Sequence, residues 1–216
     1  MHIMSYYNYV SLYLFIFTYL FLEIESFTPL GRLAHSSVLV GNKLYFFGGV
    51  LDIGFGSNEV FYLDVSQPFN IQAPPWNDLT PNAGIPFKSC WGTASLSDIN
   101  NEKTIYLFGG ATLDLITNGD YFKSIVYSFN LNSLKWNVPT VKGMQPERRR
   151  QLSSVIDNTG KMYIFGGYTD VYTGSSTVQY LNDMYTLNTV DMTWNQILSN
   201  NPPPTTDHTS TLLSDG

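Results

Sequence analysis

The sequence predicts an all-β fold in which a four-stranded antiparallel unit of about sixty residues repeats along the chain. Three observations predict it. An apolar segment that ends in two glycines occurs three times, and a tryptophan follows each glycine pair after 26 or 27 residues. Outside an apolar stretch near the N-terminus, no segment sustains the 3.6-residue periodicity of a helix. Aromatic residues make up 15% of the chain and charged residues 13%, a composition that favours strands over disorder.

The double glycine and the tryptophan identify equivalent strands in the three units. The segments KLYFFGG, TIYLFGG and KMYIFGG predict a second strand over 43–49, 104–110 and 161–167. The glycines would let the backbone of one unit approach its neighbour where a Cβ atom would clash, and the indoles would fill the space between units. These repeat-defining residues are Gly48, Gly49, Gly109, Gly110, Gly166 and Gly167 with Trp76, Trp136 and Trp194.

The remaining strands follow from their positions relative to those markers. A first strand is predicted over 34–41, 90–97 and 151–158, joined to the second strand by a tight turn rich in Gly and Asn. A third strand is predicted between each glycine pair and its tryptophan, over 58–65, 124–131 and 182–189. Residues 207–216 resemble the first strand of a fourth unit.

This arrangement resembles the kelch repeat, in which a double glycine closes the second strand and a tryptophan opens the fourth. The resemblance covers residues 29–216. It implies a kelch-type β-propeller, the blade type that is also found in galactose oxidase. Three repeats in register are strong evidence for this fold, whereas a single motif would be weak evidence.

The repeats divide the chain into predicted segments and imply an incomplete ring. Propellers have 4–8 blades, and this chain supplies three four-stranded blades plus the start of a fourth. We therefore expect either a fragment or a piece that closes with another chain. The predicted boundaries are blade 1 over 27–79, blade 2 over 80–141, blade 3 over 142–198 and a truncated blade 4 over 199–216.

The N-terminal 26 residues predict a targeting segment. The run YVSLYLFIFTYLFL over 9–22 is uncharged and shorter than the roughly 20 residues that cross a bilayer. Its length suits the apolar region of a secretory signal peptide cleaved near Ser26. An uncleaved membrane anchor and a buried strand are the alternatives. A signal peptide would imply a secreted or extracellular protein, and without one the chain would be cytoplasmic.

Charge and cysteine content exclude several kinds of function. A net charge of -6 argues against a nucleic-acid binder, which needs a cationic surplus. With a single cysteine, Cys90, neither an internal disulfide nor a cysteine-based zinc cage can form. The common templates for hydrolases and nucleotide-binding enzymes are missing from the sequence.

The order of strands within a unit predicts which loops share a face. The start of a first strand lies beside the end of the antiparallel second strand, so the loops after the glycine pairs should lie next to the segments that precede each first strand. Long, unequal, polar loops are typical of binding sites. In kelch proteins this face carries the partner pocket, as the resemblance implies.

Six residues near the first strands are candidate ligand-binding residues. Alignment of these strands by sequence places His35, Trp91 and His208 in one ring with Leu152, and places Arg32, Lys88 and Arg149 three residues earlier. The cations either form a ring suited to acidic side chains or a carboxylate ligand, or each pairs with a nearby acid such as Asp52, Asp114 or Asp170. The run 148–150 is expected to be a solvated loop with one inward arginine. The two histidines are expected to pack rather than to bind a metal.

The function predicted from these features is non-enzymatic recognition of a protein or peptide, without a cofactor or metal. The alternative is a carbohydrate-binding or galactose-oxidase-like extracellular propeller, which would use the loop aromatics Tyr121, Phe122, Tyr168 and Tyr172. Oxidase chemistry has no support in the sequence, because His35, His208 and Cys90 lack the accompanying tyrosine motif. An intracellular scaffold is the third hypothesis.

Overall fold

The structure, a computed structural model, describes residues 27–213 except Ile53, Phe55, Asn100 and Ser199. The predicted signal peptide therefore lies outside the described residues. The regular secondary structure of the described residues is almost entirely β-strand, with only a short helix α1 (Thr80–Ala83) and a 3-10 turn (Val171–Thr173). Neither approaches the length and apolar character that a membrane-spanning helix requires.

Three larger sheets follow one another along the chain. The first contains β2 (Ser36–Val40), β3 (Lys43–Phe47), β5 (Val60–Asp64) and β6 (Trp76–Asp78), and the second contains β8 (Thr93–Ile99), β9 (Glu102–Phe108), β11 (Val126–Asn130) and β12 (Lys135–Asn137). The third contains β14 (Ser153–Ile156), β15 (Lys161–Phe165), β18 (Met184–Asn188) and β19 (Thr193–Ile197), and the parallel strand β13 (Lys142–Gly143) extends its outer edge. The all-β, kelch-type fold predicted from the sequence is confirmed.

Three two-stranded ribbons lie beyond the glycine pairs. They are β1 (Arg32–Leu33) with β4 (Val50–Leu51), β7 (Lys88–Cys90) with β10 (Ala111–Leu113), and β16 (Tyr168–Thr169) with β17 (Gln179–Tyr180). We call the residues just before each first strand its lead-in. The first two ribbons pair a lead-in with the segment after the double glycine. In the third unit, a bridge between Arg150 and Tyr168 joins the corresponding two segments. The two kinds of loop thus share one face, as the sequence predicts.

The three tryptophans occupy equivalent positions in their sheets. Each lies opposite an apolar residue of the third strand, in the pairs Leu63–Trp76, Phe129–Trp136 and Leu187–Trp194. Trp136 and Trp194 also contact the preceding sheet, with ring centroids 5.9 Å from Phe47 and 5.5 Å from Phe108. Trp76 instead packs edge-on against Phe46 and Phe61 of its own sheet and stays half-buried.

The middle sheet has apolar neighbours on both faces. Alternate residues of β9 belong to different clusters: Ile105 and Leu107 pack with the first sheet, and Tyr106 and Phe108 pack with the third. Since successive side chains of a strand point to opposite faces, a strand segment buried on both sides is apolar throughout, which explains the run IYLF over 105–108. The innermost strand β8 lies against both β2 and β14.

The glycine pairs allow neighbouring sheets to touch through their backbones. The second glycine of each pair donates its N–H to a carbonyl of the next lead-in, at 2.8 Å for Gly49–Ser89, 2.8 Å for Gly110–Arg149 and 2.9 Å for Gly167–Thr205. A Cβ atom on Gly109 would lie 2.6 Å from the Arg149 carbonyl oxygen. Glycine is therefore required at this approach.

The predicted first strand of a fourth unit does not form over residues 207–213. In the other units this strand pairs with its own second strand, and no described residue supplies that partner here. The segment nevertheless contacts the third sheet, because the Ser210 N–H donates to the Ser153 hydroxyl at 2.7 Å.

Candidate functional site

A chain of backbone hydrogen bonds runs around the innermost end of the ribbons. The N–H of Trp91 donates to the Ala34 carbonyl at 2.8 Å, Gln151 donates to Trp91 at 3.0 Å, and Asp207 donates to Gln151 at 3.0 Å. All four residues have φ between 54° and 57°. The same left-handed turn therefore precedes each first strand, and it fixes which residues are equivalent.

This register corrects the alignment made from the sequence. Trp91 is equivalent to Ala34, Gln151 and Asp207, and not to the two histidines. His35 and His208 align with Leu152 and with Gly92. The prediction slipped by one residue because Trp91 is the only large side chain at a position held elsewhere by small or polar residues.

Arg32 and Arg149 are equivalent residues that hold their own sheets together. Each donates to an acid just before the third strand: Arg32 to Glu59, and Arg149 to both carboxylate oxygens of Asp183. Each also donates to the carbonyl of the first glycine of the pair, at 2.9 Å for Gly48 and 3.2 Å for Gly166.

These two guanidinium groups are shielded from solvent. The Arg32 side chain is 5% exposed and the Arg149 side chain 1%, and the rings of Phe61 and Tyr185 lie 4.6 Å and 5.6 Å from them. Of the two interpretations open from the sequence, pairing with acids therefore applies to both arginines. Their partners are Glu59 and Asp183, and not the acids expected from the loops.

The middle sheet lacks both members of this ion pair. Ser89 occupies the arginine position, and Ile125 occupies the acid position. The Ile125 carbonyl accepts the N–H of Gly109, just as the carbonyls of Glu59 and Asp183 accept the N–H of the first glycine in their own units. Replacing both together avoids an unpaired buried charge. Lys88 lies one residue earlier in the register, so the predicted ring of three cations does not exist.

The run 148–150 is buried, so the prediction of a solvated loop is wrong. Arg148, Arg149 and Arg150 are 9%, 1% and 9% exposed. Arg150 donates to the Asp170 carboxylate at 3.0 Å from Nε and lies over three rings: Trp91 at 4.5 Å, Tyr168 at 4.7 Å and Tyr172 at 5.1 Å. Trp91 thus packs on an internal arginine.

The two candidate histidines differ in their surroundings. His35 is exposed beside Phe46, and partial desolvation, followed by the Arg32 cation, lowers its pKa. His208 lies edge-on to Phe165 at 5.7 Å, and neither of its buried ring nitrogens has a hydrogen-bond partner among the described residues. Both contacts are packing contacts. In the part of the chain that is described, no three His, Cys, Asp or Glu side chains are grouped as a metal site.

The loop aromatics are occupied by neighbouring side chains. Tyr121 stacks on Phe87 at 5.2 Å, the Arg148 guanidinium lies 4.9 Å from the Phe122 ring, and Tyr168 and Tyr172 enclose Arg150. An aromatic platform for a sugar ring needs an open face. Tyr121 and Tyr168 therefore give the carbohydrate alternative no support, whereas Phe122 and Tyr172 stay 40% and 38% exposed.

The loop face contains an open pocket of about 640 Å³, which we call the loop-face pocket. Its volume falls within the range of about 300–1,000 Å³ typical of ligand sites. Of the six candidate residues only Lys88 lines it, and the Lys88 ammonium donates to the Asn118 side chain at 2.5 Å. The lining residues are Leu51, Gly54, Gly56, Ser57, Asn58, Glu59, Lys88, Leu113, Asn118, Asp120 and Tyr172.

Comparison with known proteins gives the same classification as the fold. The KLHDC2/KLHL20/DRC7 Kelch-repeats domain family matches residues 34–216. The chain belongs to the kelch-repeat family. Kelch domain-containing protein 3 of Bos taurus is 32% identical over 193 residues, which cover 84% of this chain and 46% of that protein. Host cell factor 2 of Homo sapiens is 27% identical over 199 residues, or 86% of this chain and 23% of that protein.

The kelch-repeat chain thus spans less than half the length of these relatives. Its loop-face pocket depends on loop residues such as Asn118 and Asp120, which belong to no motif that marks a binding site in the sequence. The signal available in the sequence was the unequal length of the loops after the glycine pairs. Their lengths do not predict which side chains meet.

Proposed function

We propose that this kelch-repeat chain is a non-enzymatic binding module that holds a segment of another protein in the loop-face pocket. The observation that carries the proposal is the pocket itself: it opens on the face where the ribbons meet, and it has both apolar and polar walls. Leu51, Leu113 and Tyr172 supply apolar surface, and Lys88, Asn118 and Asp120 supply hydrogen-bonding groups. This combination is usual for sites that bind peptide side chains together with their backbone.

Lys88 is the group through which an acidic partner would be recognised. It is the only cation among the lining residues. Arg32, which neutralises the lining residue Glu59, is itself buried and does not line the pocket. Asp120 lines the same pocket, so we expect a preference for one acidic group beside Lys88 and not for a strongly acidic segment. A charged hydrogen bond of this kind contributes about 1.5–3 kcal/mol.

Selection from a displayed library of random peptides tests the proposal. Peptides enriched on the wild-type chain are then titrated against Lys88→Glu, with Lys135→Glu as the matched control, because Lys135 is exposed on β12 at the outer edge of its sheet. We expect Lys88→Glu to weaken binding by about tenfold or more, which corresponds to 1.4 kcal/mol. Lys135→Glu should leave the affinity unchanged. Enriched peptides that bind both variants equally would refute the assignment of the pocket.

A further inference from the structure

Arg148 differs from the two arginines that follow it in having no acidic partner. Arg149 and Arg150 form ion pairs with Asp183 and Asp170. Among the described residues, no carboxylate lies within 4.0 Å of the Arg148 guanidinium. Its acceptors are neutral: the Ser124 carbonyl, the Tyr127 hydroxyl and, at 3.4 Å, the Thr112 hydroxyl.

A buried cation without an ion-pair partner is an unusual feature of a folded protein. Arg148 is 9% exposed, and burial lowers its pKa, while Tyr127 and then Asp120 act in the opposite direction. Desolvating a charge without a paired anion is energetically costly. A guanidinium has five N–H donors, and the acceptors within the chain leave some of them available.

The missing partner could reach Arg148 from outside, because its side chain lines an open groove of about 460 Å³. This groove, which we call the Arg148 groove, lies between the ribbon loops of the second and third sheets and is separate from the loop-face pocket. Its lining contains two cations and no acid. The lining residues are Phe122, Lys123, Ser124, Ile125, Val138, Pro139, Val141, Gln145, Arg148, Thr173 and Gly174.

We propose that the Arg148 groove is a second binding site, which takes an acidic side chain from an otherwise apolar peptide segment. Arg148 would form hydrogen bonds with the carboxylate at the bottom of the groove, and Lys123, exposed beside it, would add a second positive charge. The residues Val138, Pro139 and Val141 offer apolar contacts to the flanking side chains. In a protein of net charge -6, this local cationic surplus marks a specific site and not a general attraction for anions.

The geometry favours a carboxylate over a neutral group. A planar guanidinium can offer two parallel N–H donors to a carboxylate, and such pairs are about twice as strong as neutral hydrogen bonds. The Phe122 ring, 4.9 Å from the guanidinium carbon, holds one face of Arg148. A fixed orientation lowers the entropic cost of forming the second hydrogen bond.

The test uses two synthetic peptides that differ only in charge. The probe is acetyl-Val-Glu-Val-Asp-Val-amide, and its counterpart carries Gln and Asn in place of the acids. Binding to the whole chain is followed by saturation-transfer NMR of the peptide resonances. We expect the acidic peptide to bind about tenfold more tightly than the amide, as one charged hydrogen bond predicts.

Two variants assign this preference to the groove. Val138→Asp, at a position 54% exposed on the groove rim, supplies a carboxylate from the chain itself and should abolish the preference without disturbing the core. Arg148→Gln should abolish it too, with folding checked by circular dichroism. Lys135→Gln, on the surface of β12, should retain it. Equal binding of the two peptides to the wild type, or a preference that survives in Val138→Asp, would overturn the proposal.

Discussion

Arg149 and Asp183 form a bidentate ion pair that joins the lead-in of β14 to the start of β18. One guanidinium nitrogen donates to Oδ1 and the other to Oδ2 at 3.1 Å, and the arginine side chain is 1% exposed. The same contact joins Arg32 to Glu59 in the first sheet. These arginines are structural residues.

Arg149→Ala should destabilise the chain by about 3 kcal/mol. Removing one member of a buried ion pair costs about 3–5 kcal/mol, and the lower end applies because the Asp183 side chain keeps 25% exposure. Urea denaturation followed by tryptophan fluorescence measures the change. Lys142→Ala, at an exposed position, serves as the control. If the two variants are equally stable, the ion pair has no structural role.

Arg32→Ala should likewise reduce stability, because Glu59 would lose its buried counter-charge. Its side chain is 5% exposed and donates to Glu59 and to the Gly48 carbonyl. Only the cationic-ring interpretation of the sequence predicts the opposite result, with normal folding and weaker binding of an acidic partner. Thermal unfolding and peptide titration of the same variant distinguish the two outcomes.

Gly48→Ala should destabilise the chain far more than Gly41→Ala. Both glycines have left-handed backbones, with φ of 61° and 58°, so an alanine costs about 1–2 kcal/mol of backbone strain at either position. Only at Gly48 would the new Cβ overlap a neighbour, the Ser89 carbonyl of the next lead-in, whereas Gly41 has open space. We expect a further loss of at least about 2 kcal/mol at Gly48 from overpacking. Similar losses at the two positions would contradict the close approach of the sheets.

Trp136→Ala should cost about 3–5 kcal/mol through the cavity that it leaves between the first two sheets. The indole packs against Phe47 and Phe129, and its N–H donates to the Ala83 carbonyl at 2.9 Å. Trp136→Phe keeps much of the ring contact but loses the hydrogen bond, so its loss should be smaller. Equilibrium denaturation of both variants separates the two contributions.

Cys90 should be unreactive in the folded chain. It is 3% exposed, and burial raises the pKa of its thiol from the ordinary 9.0 to about 12. Because the folded state favours the neutral thiol, this contribution to stability is complete below pH 9 and is lost as the pH rises from 9 toward 12. Labelling with a thiol-specific reagent at pH 8 should require urea. Rapid labelling of native protein would show that the thiol is accessible.

The strand order and the inter-sheet packing could be predicted from the sequence because both rest on repeated, local signals. Each unit contains the same markers: a double glycine, alternating apolar residues and a tryptophan. Because the markers occur in three units, a departure in one unit does not obscure the strand order. The site could not be predicted in the same way. The alignment around Trp91 slipped by one residue because the ring is defined by backbone φ values.

Burial of the arginine run was equally hidden from the sequence. Three consecutive arginines resemble a solvated loop, yet each side chain contacts a different element: Arg148 reaches Ser124, Arg149 reaches Asp183 and Arg150 reaches Asp170. The partners lie between 20 and 34 residues away along the chain. Such contacts depend on loop conformations, which composition and periodicity do not encode.

The most direct test of the functional account is to find where a bound peptide lies. A peptide selected on the wild-type chain is synthesised with a photoreactive group, cross-linked to the protein, and the modified residues are identified by mass spectrometry. We predict cross-links to residues that line the loop-face pocket, such as Leu51, Leu113 and Tyr172. Cross-links confined to the opposite end of the sheets, at the turns between first and second strands, would contradict the account.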